Sequence, residues 1–140
     1  MKRCPCCNAR LKDSPLCARC GADLSRALRC EQLAKQWLAL SLQTLEAGQA
    51  SIAVHAVKRS LSYRQTPEAR AFRGFIIKHQ YTSLYDCLAR QDLQSARRTV
   101  SNLSVLQGDN EALVRFQELI DHLSARSTKR HESFHHWHLL

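Results

Sequence analysis

The chain has 140 residues, 44% of them apolar and 24% charged, a balance that excludes a disordered polar tract. Lys and Arg number 21 against 12 Asp and Glu, a net charge of +9 that suits acidic or phosphate-bearing partners. Only 4 Gly and 3 Pro are present, too few for a barrel or sandwich built on tight turns, and no run reaches the ~18 apolar residues of a membrane helix. The expectation is a soluble, cytoplasmic, mainly α protein. Its first residues, Met1-Lys2-Arg3-Cys4, lack the apolar stretch of a signal peptide.

Cysteine comes first along the chain. Of 7 cysteines, Cys4, Cys6, Cys7, Cys17, Cys20 and Cys30 fall within the first thirty residues, and Cys87 stands alone. In a reducing compartment clustered thiols hold a metal more often than they form disulfides. Cys4-Pro5-Cys6-Cys7 and Cys17-Ala18-Arg19-Cys20 each supply a C-x-x-C turn that lets two sulfurs grip one ion. Asn8 and Gly21 follow them, the residue types that best tolerate positive φ. Two such knuckles make a tetrahedral four-sulfur site suited to Zn(II), with Cys4, Cys7, Cys17 and Cys20 as ligands. Four thiolates fill the shell, so no position stays open for a substrate. Cys6 is either a bystander or an alternate metal ligand or reactive thiol. Cys30 and Cys87 read as small packing residues.

The segment CPCCNARLKDSPLCARCGADL, residues 4–24, resembles the short zinc ribbons of prokaryotic proteins, with Leu11 and Leu24 as the apolar pair behind the knuckles. Asn8 stands where those ribbons usually carry glycine, and Leu16 where they carry an aromatic residue. The resemblance implies one structural zinc per chain in a ribbon spanning residues 1–24.

Helical periodicity takes over after Leu24. Asp23 or Ser25 caps a first helix running to about Ala47, striped by Leu24, Leu28, Leu38, Leu42 and Leu45 and stopped by Gly48. A second runs from about Ala50 to Tyr63, with Ile52, Ala53, Ala56, Val57 and Leu61 on one face. Thr66-Pro67-Glu68 starts a third, which continues to about Arg90. A fourth spans about Leu93 to Leu106. After the Gly108-Asp109-Asn110 turn a fifth runs to about Ala125.

The chain also repeats itself at an offset of 43. Leu45 matches Leu88, Ala53 Ala96, Val57 Val100, Glu68-Ala69 Glu111-Ala112, Ile77 Ile120 and His79 His122. Those seven identities over residues 45–79 compare with roughly two expected from composition. The lines LEAGQASIAVHAVKRSL and LARQDLQSARRTVSNL resemble tetratricopeptide-like (TPR-like) repeats, with Ala53 and Ala96 as the small residues that let helices approach. That likeness implies about five antiparallel helices in a stack over residues 25–126, with the ribbon and first helix closing one end. The period exceeds the usual ~34 residues.

Residues 1–36 carry 8 basic and 3 acidic side chains, so charge concentrates in the ribbon. Arg10, Lys12 and Arg19 there, with Lys58, Arg59 and Arg73 on the helices, form the candidate basic contact surface. The His-rich tail, residues 127–140, is either flexible, a docking anchor (Phe134, Trp137, Leu139, Leu140) or a metal chelator through His131, His135 and His138. No catalytic motif is present. The leading expectation is a non-enzymatic adaptor for protein–protein interaction or complex assembly. The alternatives are a nucleic-acid-binding or regulatory protein using the basic ribbon, and metal or redox handling through Cys6, Cys30 and the tail.

Overall fold

Local capping signals divide the chain into five helices in the computed structural model, which describes residues 1–12 and 14–137, with side chains through Ser133. The helices are α1 (Ser25–Glu46), α2 (Ala50–Tyr63), α3 (Pro67–Ala89), α4 (Leu93–Gln107) and α5 (Glu111–Trp137). Four of these starts carry a side chain that satisfies an orphan N–H group of the first turn, while Gln49 at the start of α2 makes no such bond. Thr66 Oγ1 accepts from the Ala69 N–H at 3.2 Å, Asp92 Oδ1 from Ser95 N–H at 3.2 Å, and Asn110 Oδ1 from Leu113 N–H at 2.9 Å. At α1 it is Asp23, just outside the helix, that accepts from Ser25 N–H at 3.0 Å.

The 43-residue period is visible in the elements themselves. α1 ends at Glu46 and α2 begins at Ala50; α3 ends at Ala89 and α4 begins at Leu93. The connecting turns carry the same hydrogen bonds, Gly48 N–H to Leu45 O and Gln49 N–H to Thr44 O in the first, Gln91 N–H to Leu88 O and Asp92 N–H to Cys87 O in the second. Gly48 (φ 75°) and Gln91 (φ 58°) occupy the same left-handed position. The second turn therefore places a glutamine where the first uses the residue suited to it.

The chain divides into two compact units, Met1–Phe72 and Arg73–Leu140, with the division inside α3. In the first, α1 and α2 form an antiparallel pair with a small-residue seam. Ala34, Ser41 and Thr44 of α1 are buried, as are Ala53, Val54, Ala56, Val57 and Ser60 of α2. Close approach lets the Ser41 hydroxyl donate to Ala53 O at 2.6 Å and the Ser60 hydroxyl to Ala34 O at 2.7 Å. Of the expected leucine stripe, Leu24 is buried and Leu28, Leu38 and Leu45 are half-buried, but Leu42 is 44% exposed and Ile52 on α2 48%, because the closest part of the seam is built from alanine, serine and valine. In the second unit, Leu84 and Cys87 of α3, Ala96, Val100 and Leu103 of α4, and Leu113 and Ile120 of α5 form the core.

α5 does not stop near Ala125 but continues to Trp137. No glycine or proline lies between Glu111 and Trp137 to end it, so residues 127–137 extend the helix rather than leaving it as a tail. The proposed pairing of His131 with His135, or of His135 with His138, and the docking residues Phe134, Trp137, Leu139 and Leu140 lie outside the described side chains. Among the described residues no helix is long and apolar enough to cross a membrane.

Candidate metal centre

Residues 1–24 contain two small hairpins of the same construction, thirteen positions apart. In the first, Cys4 N–H donates to Ala9 O at 2.9 Å, Asn8 N–H to Cys4 O at 2.8 Å, and Leu11 N–H to Lys2 O at 3.1 Å. In the second, Cys17 N–H donates to Ala22 O at 2.9 Å, Gly21 N–H to Cys17 O at 2.9 Å, and Leu24 N–H to Pro15 O at 2.6 Å. Antiparallel bridges Arg3–Arg10 and Leu16–Asp23 close the two loops. Asn8 (φ 59°) and Gly21 (φ 72°) take the left-handed conformation that turns the chain after the second cysteine of each pair. Behind the knuckles, Leu24 is buried, with Leu11 and Leu28 packed against it. Glu31 of α1 ties the segment to both helices of its unit. Its carboxylate accepts from the Met1 amino group and pairs with Arg64 at 3.2 Å and Lys35 at 3.9 Å.

This framework brings Cys4, Cys7, Cys17 and Cys20 together, with all four sulfurs within 4.8 Å of one another. The two cross-hairpin contacts are Cys4 Sγ to Cys20 Sγ at 3.7 Å and Cys7 Sγ to Cys17 Sγ at 3.6 Å. Four sulfurs each ~2.3 Å from a tetrahedral ion sit about 3.8 Å apart, so the donor set and its spacing fit a metal ion held by thiolates. All seven cysteines are free. Backbone N–H groups already face the sulfurs, as with Cys6 N–H to Cys4 Sγ at 3.4 Å.

These donors prepare part of the cluster for deprotonation. The Cys7 N–H, and then that of Cys6, lower Cys4 below the ordinary thiol range despite burial. The Cys20 and Arg19 N–H groups bring Cys17 down to about 6. The Ala22 N–H pulls Cys20 down too, but burial and proton sharing with Cys17, Cys7 and Cys4 outweigh it, pushing Cys20 up to about 12. A cation bound by thiolates releases whatever protons its sulfur ligands still carry. Cys6 differs. Its side chain is exposed, it stands outside the cluster, and partial desolvation together with the neighbouring Cys4 charge raises its pKa.

The basic residues separate into three settings. Arg10, Lys12 and Arg19 are exposed on the cysteine-bearing segment. Lys58 and Arg59 line a cleft between α1 and α2. Arg73 is half-buried and donates from Nη2 to Leu106 O at 2.6 Å, which satisfies a carbonyl at the C-terminal end of α4. Sequence reasoning did not single out Trp37 and Tyr63 as partners of Arg59, whose Cζ lies 5.8 Å from the centroid of each ring. The four-residue step from Arg59 to Tyr63 was a readable signal for one of these contacts; Trp37 belongs to another helix and gave none.

No family model, no curated protein and no solved structure matches this chain.

Proposed function

We propose that the protein is a non-enzymatic cytoplasmic adaptor. In this reading residues 1–24 are a zinc ribbon holding one structural Zn(II), and residues 25–126 are TPR-like repeats that engage a protein partner in complex assembly. The observation that carries the reading is the closed set of four sulfurs joined through α1 to a helical hairpin that recurs 43 residues on. A filled thiolate shell acts as a clasp, because a catalytic zinc keeps one position for water or substrate. Zinc suits four soft donors in tetrahedral array, whereas magnesium and calcium prefer oxygen.

Two measurements test this. Elemental analysis of the purified chain should return one zinc per chain, and iron in its place would refute the clasp. Crosslinking in the native cell, followed by mass spectrometry, should identify a recurrent protein neighbour; an unlinked monomer under all conditions would argue against an adaptor.

A second reading, nucleic-acid binding, is favoured by one observation: Lys2, Arg3, Arg10, Lys12 and Arg19 are all exposed on the cysteine-bearing segment. Binding of that kind weakens steeply as salt rises. It predicts that Arg10→Gln with Lys12→Gln lowers affinity for DNA or RNA and flattens the salt slope. Absence of retardation at low salt would remove it.

A further inference from the structure

The second hairpin shows what the first leaves undone. Forty-three residues after Trp37, Ala56 and Arg59 stand Gln80, Thr99 and Asn102, all three buried. Asn102 Nδ2 donates to Gln80 Oε1 at 3.1 Å, so this face of the α3–α4 hairpin is packed and its polar groups are satisfied. On the α1–α2 hairpin the corresponding face is open. It forms a cleft of about 490 Å³ lined by Trp37, Ile52, His55, Ala56, Lys58 and Arg59, among others.

The cleft has both an apolar floor and a cation. Ile52, Ala56, Arg59 and Tyr63 recur at three- and four-residue steps, so they follow one face of α2 for about 16 Å. Ala56 is buried, while Ile52 keeps 48% of its surface exposed. The Arg59 guanidinium lies over both the Trp37 and the Tyr63 ring, a cation–π arrangement that leaves its N–H donors free for a carboxylate. Among the described residues neither Arg59 nor Lys58 has an ion-pair partner, and no acidic side chain lines the cleft.

We propose that this cleft docks an acidic amphipathic helix of a partner protein, which sets a carboxylate against Arg59 and an apolar side chain against Ile52 and Trp37. The assignment rests on the adaptor reading and names the chemistry of its partner. Charge complementarity selects the acid, and the apolar floor selects a peptide over nucleic acid. A duplex presents one charge per ~1.7 Å of axis, so two cations along the cleft meet too few phosphates to hold it. The two aromatic rings already face Arg59 and are committed to it. A planar guanidinium meets a carboxylate with two parallel hydrogen bonds, and the preordered side chain loses little freedom in making them.

The test selects random peptides displayed on phage against the metal-loaded full chain, then measures synthetic copies of the winners by fluorescence anisotropy. The winners should carry Asp or Glu with apolar residues at three- or four-residue spacing. Their affinity should fall at least ~10-fold on Arg59→Gln and on Ile52→Glu, with helicity and metal content unchanged. Arg59→Lys should recover only part of the loss, since an ammonium lacks the planar fork. Because Ile52 is exposed, its variant keeps the test valid if Arg59→Gln disturbs the hairpin. The proposal is overturned by failure to enrich any peptide, by winners without acidic residues, by equal affinity in both variants, or by a short DNA duplex displacing the winners. Should a crosslinker placed at Leu16 capture a recurrent partner while the cleft variants change nothing, the adaptor reading survives and this docking surface does not.

Discussion

Single residues decide whether the N-terminal segment closes. Cys4, Cys7, Cys17 and Cys20 gather in one small volume and Cys6, which lies between Cys4 and Cys7 in the chain, stands outside it. Replacing any one of the four by serine should drop bound metal from one ion per chain toward none and lower the melting temperature of the N-terminal unit. Cys6→Ser should leave both unchanged. Metal content and differential scanning fluorimetry read the two effects together. Asp92 carries a second residue-scale prediction. The Ser95 hydroxyl and the Ser95 N–H, aided by Arg90 and Arg98, hold its carboxyl below the usual range. A depressed folded pKa means the carboxylate contributes stability above the unfolded pKa of ~3.9, and the contribution disappears as pH falls through the lower folded value. Asp92→Ala should therefore unfold at lower urea than the parent at neutral pH, and the gap should close in that acidic window. A gap that persists unchanged when the carboxylate is protonated would contradict the capping role.

At the scale of elements, the two hairpin turns form a natural pair. Gly48 and Gln91 share a left-handed φ, and a Cβ added at Gly48 would meet nothing within 4 Å, so only the backbone distinguishes the sites. A side chain in that conformation costs roughly 1–2 kcal/mol. Gly48→Gln should destabilise the first hairpin by about that amount, and Gln91→Gly should stabilise the second by somewhat less, since glycine frees the unfolded chain. Urea unfolding of both variants checks the opposite signs. The start of α3 was legible because Thr66 acts within three residues of itself, as Asp92 and Asn110 do at the starts of α4 and α5. The buried face of α1 was not. Leucines dominate its periodicity and Leu28, Leu38 and Leu45 are half-buried, yet the fully buried side chains of the helix are Ala34, Ser41 and Thr44, because α2 approaches closely enough for Ser41 to reach Ala53 O. A serine hydroxyl that bonds a carbonyl of a neighbouring helix leaves no trace in a hydrophobic pattern.

Across the whole molecule, each unit carries its own core. Chelation should therefore act unevenly. Hydrogen exchange after metal removal should accelerate over residues 1–24 and the start of α1, where Leu24 and Leu28 pack behind the knuckles. Amides near Leu84, Leu103 and Ile120 should keep their protection, since that core lies in the other unit. Uniform acceleration would mean the metal sustains the entire chain. In zinc-dependent peptides metal binding supplies about 10–16 kcal/mol of folding free energy, more than enough for its loss to open a segment of this size.

The amino-acid sequence by itself determined what short-range chemistry controls: the paired C-x-x-C spacings, the left-handed residues after them, the helix caps, and a 43-residue recurrence of turns and boundaries. Only the tertiary structure decided which groups meet across elements. It gathered the four sulfurs from two hairpins, placed Arg59 over a ring of its own helix and one from α1, buried Gln80 against Asn102, and left Leu42 and Ile52 outside. Caps and turns are satisfied within a few residues and so are written locally. Contacts between elements depend on how closely two backbones approach, which is fixed by the packing of every side chain between them.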